Sequence, residues 1–481
     1  MQEAPADGQA DAATRREAAR RRWAVYGLLI AVAVGQMTGR LMAVDSVDLT
    51  RLESYRIEGR LDELREQLAA RGVGGEAAEA RLAARRAELE EKLRLRRPFL
   101  SSNDRSRWLA VRALVEHGTF AIDEVLKEPT WDSIDIVQHP DRQGVPRLYS
   151  SKPPLLYTLL AGEYWLIHQA TGATLGTHPY AIGRAMLFTT NVLPLALMMA
   201  IVAGLAERLF DRLGVYDDWP RMFVVACATL GTLLTPFAVV LNNHVVAAVS
   251  AAVALYAWAR VRLDGDTRPR WFALAGLAAA FTAANELPAL SLLVFLGLLL
   301  LCRCPRPTLQ AFAPAALLVV AAALATNYAA HGSLRPPYMH RGGAQPGASG
   351  YDAGDDWYRF TYEVNGRQRQ SYWSAPRGVD RGEASWAVYA LHTLVGHHGV
   401  FSLTPVWLLS IAGAIYTAAR GRAEQRELAG LVLALTVVCL AFYIGRPQVD
   451  RNYGGMTSGL RWMLWFTPLW LAVMPPAIAR L

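Results

Sequence analysis

Three polar clusters in a largely apolar chain carry residue types that can do chemistry. The first, Ser101-Ser102-Asn103-Asp104-Arg105-Ser106-Arg107-Trp108, opens a segment of helical pattern that runs toward Glu116. Its Asp104 can exchange a proton with a bound ligand, or it can simply complement the dipole of a helix N-terminus. The second, Tyr149-Ser150-Ser151-Lys152-Pro153-Pro154-Leu155-Leu156, sets a lysine before paired prolines. The prolines fix an extended entry into a helix and leave Lys152 at the membrane surface, facing a ligand or lipid head groups. The third, Arg451-Asn452-Tyr453-Gly454-Gly455-Met456-Thr457-Ser458-Gly459-Leu460-Arg461-Trp462, joins two arginines and Tyr453 to glycines that let backbone approach a ligand closely. It also has the make-up of a flexible loop closed by an interfacial Arg-Trp anchor.

Smaller polar groups sit between apolar stretches. Asn242-Asn243-His244 and Asn285-Glu286 each lie where two such stretches meet. A glutamate near hydrocarbon marks function by default, whereas asparagine also serves in tight turns. Gly396-His397-His398-Gly399 offers adjacent histidines that point apart on a helix, with no third ligand nearby, so no metal ligands are assigned. Cys227 and Cys439 fall within apolar stretches, and Cys302-Arg303-Cys304 has no histidine pair beside it, so all read as inert thiols.

The elements that must position these residues follow from composition. The chain is 481 residues long, 53% hydrophobic and only 19% charged, and long apolar blocks match the thickness of a bilayer's hydrocarbon layer. An all-α, polytopic membrane protein with about ten spans is expected. The net charge of +8 does not indicate nucleic acid, because the arginines cluster in short loops beside apolar blocks: 15–22, 260–270, 303–306 and 420–426. That is the pattern of cytoplasmic loops.

The organisation then reads as follows. Residues 1–22 form a basic cytoplasmic tail and 23–44 an uncleaved first span. Residues 45–151 form an external segment holding a helical hairpin at 51–97, split at Gly72-Val73-Gly74-Gly75, and a helix at 103–117. Residues 152–327 comprise a helix lying along the outer face, led by Pro154, and a span bundle; 328–395 form a second external segment; 396–481 return to the membrane. Spans are placed at 23–44, 181–209, 221–240, 245–260, 270–284, 288–302, 308–327, 398–418, 427–445 and 461–479. This arrangement keeps every arginine-rich loop inside and gathers the polar clusters on the other face.

The order of these features resembles the GT-C membrane glycosyltransferases, in particular the branch of protein O-mannosyltransferases and bacterial aminoarabinose transferases. A first outward span is followed by an acidic residue opening a surface helix, then by Lys-Pro-Pro-Leu heading a second surface helix, then by a span with Arg184 near its outer end. The likeness is clearest over 100–262. It implies that Asp104 is the catalytic base or orients the acceptor, and that the donor is a sugar on a polyprenyl-phosphate carrier. Where the family has an acidic pair, this chain has Asn103-Asp104-Arg105. A departing phosphate needs cations, and Lys152, Arg184, Arg451 and Arg461 are the candidates. Asn103, His244, Glu286 and Tyr453 are expected to bind substrate. The acceptor is a lipid, a glycan or a protein, no cofactor is required, and a divalent metal is left open. The expected location is a bacterial inner membrane, with the active face outside the cytoplasm.

Two other classes compete. A transporter or flippase of a lipid-linked or polar substrate should place ionisable groups near the bilayer midplane and show broken helices or internal repeats. Here the charges gather at one face and no repeat is visible. A scaffold that uses the hairpin to bind a partner is the third reading.

Overall fold

The computed structural model describes residues 6–44, 49–93, 99–128, 130–341, 355–455 and 458–481. The ends of the 51–97 hairpin, most of the Pro/Gly-rich stretch before Asp355, and Met456-Thr457 lie outside the described residues. Helix makes up 72% of the chain, so it is an all-α membrane protein in outline.

Among the described residues six helices are long and apolar enough to cross a membrane: Arg16–Ala43, Pro179–Leu213, Asp218–Val239, Asn243–Arg262, Pro305–His331 and Ala423–Ile444. The first lies within α1 (Ala6–Ala43). The second joins α7 (Pro179–Leu187) to α8 (Leu193–Leu213) through a π-turn at Phe188–Val192, just ahead of Pro194, whose missing N–H breaks the regular ladder. The third contains α9 (Asp218–Leu230) and the fourth is α10 (Asn243–Arg262). The fifth runs from α13 (Pro305–Pro307) through a second π-turn, ahead of Pro314, into α14 (Ala313–His331).

Four other expected spans take different forms. α11 (Pro269–Asn285) and the apolar helix Leu287–Arg303, which includes α12 (Leu290–Arg303), are shorter. Around 398–418 the chain breaks into α16 (Val400–Leu403) and α17 (Trp407–Arg420), with Pro405 at the break. The last is the most broken: a 3-10 stretch, Arg461–Phe466, leads to α19 (Thr467–Val473) and α20 (Pro475–Ile478). Pro468, Pro475 and Pro476 forbid a continuous ladder there. Residues 463–476 are buried without interruption, so this segment threads the middle of the bundle. α18 (Ala423–Ile444) flanks it.

The alanine-rich α10 is the bundle's central post and packs on α8, α11 and α19. Small side chains let helices approach closely without any hydrophobic drive between them. The clearest contact is Gly276 on α11, where a Cβ would fall 2.2 Å from the Phe312 carbonyl oxygen.

Outside the bundle, α2 (Leu49–Ala70) and α3 (Glu76–Lys92) form the expected antiparallel hairpin, turning at Gly72 and Gly75 with positive φ. α4 (Ser102–Glu116), α5 (Asp123–Leu126) and α6 (Pro154–Thr171) follow, the last apolar yet not among the helices fit to span. Two small antiparallel ribbons depart from a purely helical expectation: β1 (Ile136–Pro140) with β2 (Pro146–Ser150), and β3 (Thr361–Val364) with β4 (Arg367–Gln370). α15 (Trp386–Leu394) follows the second ribbon in the chain.

The first ribbon is pinned from two sides. Its His139 stacks on Tyr149 at 4.1 Å and meets Trp357 at 4.2 Å, and the Gln138 N–H donates to the Trp357 carbonyl at 3.0 Å. On the other side Ser106 of α4 donates to the Asp135 carbonyl at 2.6 Å.

The α2–α3 hairpin has its own small core of Ile57, Leu61 and Leu89, separate from the bundle core. Among the described residues its ion pairs with the second ribbon are exposed ones on Glu91, from Arg369 at 3.2 Å and Arg367 at 3.9 Å, worth little in water. Replacing residues 49–93 by a short flexible linker should therefore leave a monodisperse protein whose thermal midpoint in detergent moves by only a few degrees. Loss of the folded species on size-exclusion chromatography would show that the hairpin holds the bundle together.

Candidate functional site

The site is built where α4, the base of the first ribbon, the start of α10, the end of α11 and Arg461 converge. Ser101 caps α4, accepting from the Asp104 N–H at 3.1 Å. Asn242 caps α10, accepting from the Val245 N–H at 2.8 Å, and its amide donates back to Phe237 and Val240 carbonyls. Asn191 also donates to the Ala238 and Val240 carbonyls, both at 2.9 Å. The loop before α10 is thus held by side chains from three elements.

Arg107 is the hub. It is 3% exposed and makes no ion pair with a carboxylate among the described residues. Its guanidinium donates to the Asn103 side chain and to Asn243 Oδ1. Asn243 in turn donates to Glu286 Oε1 at 2.7 Å, and His244 Nδ1 meets the same oxygen. Burial, together with the charge of Arg461, pushes the Arg107 pKa down to about 10 against the pull of Asp104, Asp135 and Glu286.

Lys152 sits at the foot of β2 and donates to Asp135 Oδ1 at 3.0 Å across the ribbon's base. Burial brings the lysine down to about 8. Asp135, which burial alone would raise, is held below its ordinary value by Lys152, Arg461 and Arg107. Arg461 completes the cluster, its charge felt by Asp135, Lys152, Glu286, His244 and Arg107. Among the described residues its guanidinium makes no hydrogen bond; Nε is enclosed, while the two terminal nitrogens are not. Gly454 and Gly455, at φ 86° and 87°, fold around it, and a Cβ on Gly454 would come within 3.1 Å of its side chain. The glycines thus make room for an arginine.

Asp104 lies one layer behind. Its Oδ1 accepts from the Leu241 N–H at 2.9 Å, and its Oδ2 is enclosed without a partner. Burial pushes it up to about 7, while the Leu241 N–H, the neighbouring Trp108 indole, Arg107 and Arg105 pull the other way. It also lines a shallow groove of about 300 Å³ with Leu41, Phe99, Arg184 and Val239.

The structure therefore brings together Asn103, Asp104, Lys152, His244, Glu286 and Arg461, and leaves three expected residues outside. Arg184 donates to the Leu41 and Met42 carbonyls at the end of α1, both at 3.2 Å. Arg451 is held by the Arg446 carbonyl at 2.8 Å. Tyr453 stacks on His398 at 4.7 Å. Arg107 and Asp135 were not singled out from sequence. Arg107 lies one helical turn beyond Asn103, a usable signal, whereas Asp135 needed the ribbon's pairing to bring it beside Lys152. Among the described residues no group of three or more His, Cys, Asp or Glu side chains is placed to hold a metal ion.

An acid whose folded pKa stands above its ordinary 3.8 binds its proton more readily in the folded state. Asp104 therefore favours folding at low pH and withdraws that contribution as pH rises through about 7. Between pH 5 and pH 8 the thermal midpoint of Asp104→Asn should fall less than that of the wild type. Equal losses would contradict the burial of this carboxyl.

Set against known families, curated proteins and solved structures, the chain matches no family model, no curated protein and no solved structure.

Proposed function

We propose that this protein is a membrane glycosyltransferase of GT-C type that takes its sugar from a polyprenyl-phosphate carrier. The observation that carries the reading is the Arg461 guanidinium, near enough to Lys152 and Arg107 to act on both, whose terminal nitrogens make no hydrogen bond among the described residues. The carboxylates that act on Arg461 are Asp135, Glu286 and Asp380, while burial draws Asp104 toward its neutral form. The Arg461 fork suits phosphate oxygens, and Lys152 adds a point charge.

The position of the chamber fits a lipid-linked donor. It lies at the N-terminal end of α10, whose 20 residues span about 30 Å. The other end carries Arg262 and Arg303 around Glu427, the face expected to be cytoplasmic. A prenyl chain would stay in the bilayer while its phosphate meets the cations on the outer face. In this reading α11, Leu287–Arg303, the 400–420 region and the broken 461–478 segment join the six long helices to make ten passes. The acceptor is a lipid, glycan or protein of the cell envelope. Asp104, whose free oxygen is enclosed, acts as a positioning residue that fixes Leu241 and with it the start of α10.

The protein in nanodiscs, given undecaprenyl-phosphate-linked [14C]mannose or its glucose and aminoarabinose counterparts with envelope extract, should move label to an acceptor. Arg461→Gln should raise the donor KM by about tenfold or more and slow turnover, because a charge-assisted contact to phosphate is lost. Unchanged donor KM in a folded variant would remove Arg461 from the phosphate site.

A further inference from the structure

We infer that His244 and Glu286 form a carboxylate–imidazole dyad in which His244 Nε2 takes the proton of the acceptor. The inference rests on the reading of the chamber as a glycosyl-transfer site and names the base within it. Glu286 Oε1 receives both the Asn243 amide N–H and His244 Nδ1, an arrangement that suits an ionised carboxylate with accepting lone pairs. Nδ1 then carries the hydrogen, which leaves the Nε2 lone pair unused. Among the described residues Nε2 makes no hydrogen bond, and it is not enclosed by protein. Asp104 differs on both counts: one oxygen is committed to Leu241 and the other is enclosed.

The surroundings fit a base that must become charged only in passing. The charged groups acting on His244 are Glu286 at the end of α11, Arg461 and, from α4, Arg107. Glu286, in contact with Nδ1, stabilises the imidazolium that forms during reaction. Asn243 ties the dyad to the cation cluster, since its amide donates to Glu286 while its oxygen accepts from Arg107.

The step balances within the chamber. The acceptor oxygen bonds to the anomeric carbon as its proton passes to His244 Nε2. The bond from that carbon to the phosphate oxygen breaks, and its electron pair stays on the phosphate, facing Arg461 and Lys152. The imidazolium then returns its proton to water.

The test uses the full protein in nanodiscs with the same undecaprenyl-phosphate [14C]sugars and envelope extract. Wild-type turnover should fall toward low pH as Nε2 is occupied by a proton. His244→Asn keeps a donor near the Nδ1 position for Glu286 but has no base, and should lower kcat about 100-fold with donor KM little changed. The low-pH fall should be absent from its residual rate. Glu286→Gln should lower kcat and displace that fall while the protein stays monodisperse. A role confined to stability would instead lower activity in proportion to folded protein at every pH. Retention of kcat in His244→Asn, persistence of its low-pH fall, or a wild-type rate flat from pH 5 to 9 overturns the dyad and leaves the donor reading standing. Absence of wild-type transfer from every donor overturns both.

Discussion

A guanidinium taken out of water must be repaid by partners, and the end of the bundle where α10 begins holds Arg107 at 3% exposure with no ion pair among the described residues. The rest of the site follows from that constraint. Neutral oxygens of Asn103 and Asn243 satisfy its hydrogens, and more distant carboxylates supply the balancing charge. Lys152 spends its charge on Asp135, and Glu286 is engaged by Asn243 and His244. Among the described residues Arg461 keeps unfilled donors, with Asp135, Glu286 and Asp380 acting on its charge in a setting where charges are felt more strongly than in water.

The fold serves this arrangement by holding the segments around the cluster at more than one point. The ribbon that brings Asp135 to Lys152 is held by Ser106 on one face and by Trp357 on the other. The start of α10 is held by Asn191, Asn242 and Asp104. The broken C-terminal segment is threaded through the core, so its prolines keep the 3-10 stretch short and deliver Arg461 at its head. Such preorganisation matters most for electrostatic catalysis, because fixed charges need no rearrangement as the transition state forms.

How much of this was legible in the sequence depended on the range of the interaction. Local signals served well: the α2–α3 hairpin lay in its leucine spacing and Gly72–Gly75 break, and α4 and α6 in Ser101 and Pro154 at their starts. The long apolar blocks located the long helices, since both express transfer between water and lipid. Chain-distant pairing was harder. Asp135 acquires meaning only when residue 136 pairs with residue 150 and Lys152 swings beside it. Arg184 and Arg451 had the right charge and depth but found backbone carbonyls close by, and composition cannot reveal such competition. The glycines at 454 and 455 read as room for a ligand and instead wrap Arg461, because a positive φ reports the backbone and leaves open what fills the space.

Everything else in the proposed function turns on whether Arg461 and Lys152 hold a phosphate. An electron cryomicroscopy structure of the protein in nanodiscs containing undecaprenyl phosphate tests it directly. The account predicts head-group density within hydrogen-bonding distance of both the Arg461 terminal nitrogens and Lys152 Nζ, with the chain running into the bilayer alongside the start of α10. A head group bound elsewhere, or a chamber filled only by water at saturating lipid, would contradict it.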